Sequence, residues 1–117
     1  MHIIFGTEQA QELAKKYTVL ELDTFRLGEN GPIVTAYCPI ETVPFDELPF
    51  LVETKAKHED LIINYHARAW ESCLSTIDQL NGKWNGKLDS FYSNLHDRIQ
   101  NLINNPPPED WTSIIQK

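Results

Sequence analysis

Leu88, Phe91, Tyr92, Leu95, Ile99, Leu102 and Ile103 recur at short helical steps, and Pro106-Pro107-Pro108 follows almost at once. Such a stripe is one face of a helix, and it demands a second apolar surface to lie against. Proline has no amide to donate and collides with the preceding turn, so the helix must end before residue 106. Two earlier stripes can supply the facing surface. Leu51, Lys55, His58, Ile62 and Tyr65, broadened by Leu61, predict a helix from about Pro49 to His66, with Pro49 suited to its first position. Trp70, Cys73, Leu74, Ile77 and Leu80 predict another, stopped by Asn81-Gly82. Beyond the prolines, the tail Glu109 to Lys117 keeps one large anchor, Trp111, with Ile114 and Ile115 after it.

The first half reads differently. His2 to Phe5 is a short apolar run closed by Gly6, fit for a brief strand. Thr7 is placed to cap a helix over about Glu8 to Lys16, with Glu8 in its first turn and Ala10, Leu13, Ala14 and Tyr17 on one face. From Thr18 the period falls to two: Leu20, Leu22 and Thr24 on one side, Glu21 and Asp23 on the other. Gly28-Glu29-Asn30-Gly31 then punctuates the chain before a second β-rich run, Ile33 to Cys38. This predicts a hairpin with a loop of about four or five residues, with Pro39 at an edge or a strand end. Pro44 and Pro49 bracket Phe45-Asp46-Glu47-Leu48, a linker or single turn.

A two-stranded hairpin is marginal alone, and forty-odd residues without metal or disulfide rarely stand by themselves. The expectation is therefore one α+β domain over residues 1–117, a short β-α-β-β region packed on a three-helix bundle. Its subregions are 1–45 (strand, helix, hairpin) and 46–117 (helices and proline-tryptophan tail).

Charge narrows the function. The 117 residues carry a formal charge of −7. Residues 1–53 hold nine acidic and three basic residues (Lys15, Lys16, Arg26), whereas residues 54–117 hold eight and seven. A phosphate backbone is repelled by the first half and hardly attracted by the second, so nucleic acid is not an expected partner. No apolar run is long enough to span a bilayer, and Met1 to Gly6 lacks the pattern of a secretory signal. Cys38 and Cys73 are too few for a disulfide scaffold and read as reduced thiols of a cytoplasmic protein.

One stretch resembles a known module. Asp60-Leu61-Ile62-Ile63-Asn64-Tyr65, then Trp70, Cys73-Leu74, Ile77 and Leu80, resembles a tetratricopeptide-type helix pair. Tyr65 and Trp70 flank its short turn as the bulky end of the seam, and Cys73 stands where that family prefers a small residue. Extended through Phe91 to Ile99 and Asn105-Pro106-Pro107-Pro108-Glu109-Asp110-Trp111, the order over about 58–111 is similar to the helical extension that follows the catalytic domain of many bacterial class III adenylate cyclases. That resemblance implies a packing module with the tryptophan after the prolines laid against its own helices. It implies no cyclase activity, because residues 1–57 lack the length and the paired aspartates of a cyclase domain. The whole chain also resembles small proteins of marine microbial and phage genomes, a likeness that carries no function.

Several residues invite a chemical reading. His58 and His66 are eight apart, about 12 Å along a helix, too far to chelate one ion together. His66 is better placed to meet the last carbonyls of its helix. Glu21 and Asp23 could flank a divalent ion, but strand alternation puts them on a wet, charged face. Cys38 with His96 or His58 lacks any third group to orient a nucleophile and base, and reads as a small hydrophobe. Gly82-Lys83-Trp84-Asn85-Gly86-Lys87 has the glycines and lysines of a phosphate loop, yet a helix precedes it and Leu88 stands where Ser or Thr would hold magnesium. No catalytic residue, metal ligand or cofactor is assigned.

The residues carrying the interaction or packing reading are Tyr65, Trp70, Trp84 and Trp111. Trp70 and Trp84 are expected inside, and Trp111 either staples the tail to the helices or meets a partner. The function expected is that of a non-catalytic adaptor binding a protein or a second copy of itself. The alternative is a small ligand-binding protein or enzyme, its pocket between hairpin and helices near Tyr37, Glu21 and Asp23.

Overall fold

The computed structural model describes residues 3–116. The chain runs β1 (Ile4–Phe5), α1 (Thr7–Ala14), β2 (Thr18–Arg26), β3 (Ile33–Ile40), a 3-10 turn (Phe45–Phe50), α2 (Leu51–His66), α3 (Trp70–Leu80), a second 3-10 turn (Trp84–Gly86), α4 (Asp89–Asn104) and β4 (Ile115–Gln116). This is a mixed α+β fold, a β-α-β-β region followed by a helical bundle. It divides into two compact units, Met1–Thr42 with Ser113–Lys117, and Val43–Thr112. His2, part of the expected first strand, lies outside the described residues. Among those described, no helix is long and apolar enough to cross a membrane.

The first unit is built on a sheet of order β1-β3-β2-β4, with β1, β3 and β2 antiparallel and β4 parallel to β2. β2 and β3 form the expected hairpin, joined by residues 27–32. There a Cβ on Gly31 would collide with the carbonyl of Leu27, so glycine is required. Pro39 lies next to the last residue of β3, beyond Ala36 and Tyr37 where β1 pairs, so its missing amide removes no bond to β1.

The alternation expected for β2 does not hold throughout. Glu21 faces Tyr37 and Thr24 faces Thr35, so Leu22 and Asp23 together oppose Ala36 in a β-bulge. The extra residue reverses the parity of the strand. Thr24, expected beside Leu20 and Leu22, instead shares the side of Glu21 and bonds Thr35 through the hydroxyls at 3.1 Å. Phe25 takes its place opposite Val34, on the side of Leu20 and its partner Cys38, and its ring lies 6.4 Å from that of Phe5.

α1 packs along β2 and β3 and buries Ala10. Thr7 is not its cap, as the sequence suggested. Gly6 holds that position, and the Thr7 hydroxyl is hydrogen bonded instead to the Tyr37 hydroxyl of β3 at 3.2 Å. A tertiary partner has displaced the local one.

In the second unit, α2 packs on α3 and α3 on α4. Leu61, Cys73, Leu80, Leu88, Tyr92, Leu95 and Ile99 are wholly buried. Each aliphatic side chain among them contributes roughly 1.5–3 kcal/mol relative to exposure. α3 has the limits its stripe predicts. α2 begins at Leu51, two residues later than expected, because the chain enters it through the 3-10 turn that contains Pro49. Thr54, not Lys55, completes its buried stripe, and Thr54 Oγ1 donates to the Phe50 carbonyl at 2.9 Å.

Candidate functional site

Trp84 occupies the turn between α3 and α4 with a positive φ of 57°, a conformation costing roughly 1–2 kcal/mol for an L-residue. Two long-range hydrogen bonds hold it there. Its backbone N–H donates to Glu47 Oε1 of the first 3-10 turn at 2.8 Å, and its indole Nε1–H donates to Tyr92 Oη at 3.0 Å. Tyr92 Oη is in turn hydrogen bonded to His58 Nδ1 at 2.9 Å. His58 and Tyr92 are 0% exposed and Trp84 is 1% exposed, so no substrate atom can reach this triad without opening the core. It links α2, the 82–86 turn and α4 and belongs to the architecture.

The same turn answers the phosphate-loop reading. The Gly82 N–H donates to Asp89 Oδ1 at 2.8 Å, just as that of Trp84 goes to Glu47. Two of the amides that would cradle a phosphate already hold the chain's own carboxylates, whose charge repels an anion.

A second aromatic group forms where α2 turns into α3. Tyr65, Trp70 and Trp111 approach pairwise, with ring centroids 5.9 Å (Tyr65 to Trp70), 5.9 Å (Tyr65 to Trp111) and 5.5 Å (Trp70 to Trp111) apart. Tyr65 is buried, while Trp70 and Trp111 are half-buried. Arg68, which the sequence reading passed over, organises the group. It sits at φ 62° with Arg68 N–H donating to the Tyr65 carbonyl and Ala69 N–H to that of Asn64. This is the paired ending in which helices ordinarily place glycine at the left-handed position.

The conformational cost at Arg68 is offset by its side chain. Nη2 donates to the carbonyls of Pro108, Glu109 and Trp111 at 3.0, 2.8 and 2.9 Å, and the guanidinium lies 5.3 Å from the Trp111 ring. A clue was present in the sequence: His66-Ala67-Arg68-Ala69 reverses the chain without a glycine. Arg98 approaches the other side of Tyr65, 5.9 Å from its ring. The cation that an aromatic cage would take from a ligand is here supplied from within.

The remaining candidates are placed as follows. Glu21 and Asp23 are half-buried at the bulge, Glu21 opposite Tyr37. His66 is exposed in the last turn of α2, its ring 6.2 Å from that of Tyr65. His96 is half-buried, its Nδ1 3.7 Å from Asp97 Oδ1. Cys38 is buried, its thiol directed to the Pro39 carbonyl at 3.8 Å. Cys73 is buried with its thiol toward the Leu61 carbonyl at 3.9 Å, and desolvation pushes its pKa from 9.0 up to about 11, which holds it protonated and unreactive at neutral pH. Among the described residues, no three His, Cys, Asp or Glu side chains are grouped to hold a metal, and no buried side-chain polar atom lacks a hydrogen-bond partner.

Against this satisfied interior stands one exposed segment. Phe45, Leu48, Phe50 and Val52 fall within eight residues and are 89%, 48%, 54% and 83% exposed. They are not on a loose strand. The Glu47–Trp84 bond, the Thr54–Phe50 bond and a Glu47 N–H to Pro44 carbonyl bond at 2.9 Å fasten the segment to the helical unit. Beside it, Phe50, Glu53, Thr54, Lys57, Gln79, Leu80 and Lys83 line an open hollow of about 240 Å³. The sequence reading took this stretch for a linker, because its apolar residues follow neither helical nor strand periodicity.

No protein-family model, no curated protein and no solved structure matches the chain.

Proposed function

We propose that this chain is a non-catalytic, cytoplasmic protein-interaction module. Its helical unit is read as a tetratricopeptide-like pair, α2 and α3, closed by α4 and by the tail that Arg68 holds. The single observation that supports this function is the set of large apolar side chains at Phe45, Leu48, Phe50 and Val52, held outward on an anchored turn. Keeping such residues in water favours association, and an anchored surface loses little conformational freedom on binding. The acidic first half argues against nucleic acid as the partner.

The test is affinity capture from the source cell with the full chain and with Phe45→Ser/Val52→Ser, together with solution mass. The reading expects either a stoichiometric protein partner or a dimer, in each case lost in the variant. A monomer that captures the same proteins as its variant, or that retains a small molecule through purification, overturns it.

A further inference from the structure

Between Arg26 and Lys55 the sequence contains no lysine or arginine, while Glu29, Glu41, Asp46, Glu47 and Glu53 fall within that stretch. The apolar segment lies inside it. Glu47 is engaged with the Trp84 amide. Glu53 meets Lys57 only in an exposed pair at 3.6 Å, which is weak and readily exchanged for another cation. Asp46, next to the most exposed phenylalanine, is itself exposed.

Resting on the reading above, we propose that the Phe45–Val52 surface docks an amphipathic protein segment whose apolar face is rimmed by lysine or arginine. Phe45, Phe50 and Val52 take the apolar face, and Asp46 and Glu53 meet the basic rim. The charge argues against the other occupants. A second copy, with formal charge −7, would bring the same carboxylates face to face, and an anionic membrane would repel them.

The probes are a 15-residue helical Leu/Lys peptide, a Leu/Glu peptide with the same apolar face, and vesicles containing anionic phosphatidylglycerol. Binding to the full chain is followed by fluorescence anisotropy and two-dimensional NMR. The Leu/Lys peptide is expected to bind with shifts centred on Phe45–Val52, and the Leu/Glu peptide about tenfold more weakly or worse. Phe45→Ser/Val52→Ser removes only exposed groups and keeps every charge; it is expected to weaken the Leu/Lys peptide by about tenfold or more. An unchanged amide spectrum away from the substitutions establishes that the variant is folded.

Equal binding of the two peptides, or Leu/Lys binding untouched by the variant, overturns this inference. Dimerisation abolished by the variant, without Leu/Lys binding, also overturns it but leaves the protein-interaction reading standing. Vesicle binding abolished by the variant, with neither peptide bound and no protein captured, overturns both.

Discussion

Trp84 and Trp111 lie at two turns of the helical unit and are held by similar means, yet one is sealed and the other is not. Trp84 receives Glu47 from 37 positions earlier in the chain and joins Tyr92 and His58 in a fully buried network. Trp111 is held at the rim by Arg68, 43 positions away, with its ring half open to water. The difference teaches what each contact is worth. A buried polar network must be complete, because every donor left without an acceptor costs its desolvation. A rim latch competes with water and can open without exposing the core.

The largest expected effect separates the two tryptophans directly. Trp84→Ala should lower unfolding free energy by about 3–5 kcal/mol, and Trp111→Ala by roughly 1–2 kcal/mol, read from urea midpoints at constant slope. Equal losses would break the comparison. Next comes Tyr92→Phe, which deprives the Trp84 indole N–H of its acceptor while leaving the ring in place. It should cost about 1–3 kcal/mol, and near-neutrality would mean that water reaches the site.

The sealed interior should also show itself in pH dependence. Burial raises the Cys73 thiol from 9.0 to about 11, so between those values the unfolded chain releases a proton that the folded chain retains. Stability is therefore lost as pH rises from about 9 to 11, by no more than about 2 kcal/mol from this group. Because lysines and tyrosines titrate there too, the readout is the difference in slope between the native chain and Cys73→Ala; identical slopes would count against the assignment.

The smallest global effect is expected at the rim. Arg68→Gly relieves the left-handed backbone but deletes the bonds to the carbonyls of Pro108, Glu109 and Trp111. The two effects should nearly cancel, leaving stability within about 1 kcal/mol. Amide exchange over residues 105–112 should nevertheless quicken severalfold, and protection there unchanged would show that Arg68 is no latch.

These regions differ as much in legibility as in depth. Trp70 to Leu80 and the stripe beginning at Leu88 are readable because helical spacing and a stop signal lie within a few residues of each other. Thr7 misled for the same reason in reverse, since a local capping pattern was outcompeted by Tyr37 thirty residues on. One residue of bulge undid the alternation beyond Leu22. Glu47 looked like one more acid in a linker, and no pattern near it announces the amide of Trp84.

By itself the sequence determined the three helices of the second half, the stop at Pro106, the hairpin and the acidic character of residues 1–53, all set by periodicity, proline geometry or simple charge. Tertiary structure alone decided that Tyr92 gathers Trp84 and His58, that Arg68 holds the tail, that Ile115 joins β2 beside Phe25, and that Phe45 and Val52 face water. The physical reason is range. Local spacing controls backbone conformation, whereas these pairings join residues tens of positions apart and form only when the packed elements bring them within a few ångströms.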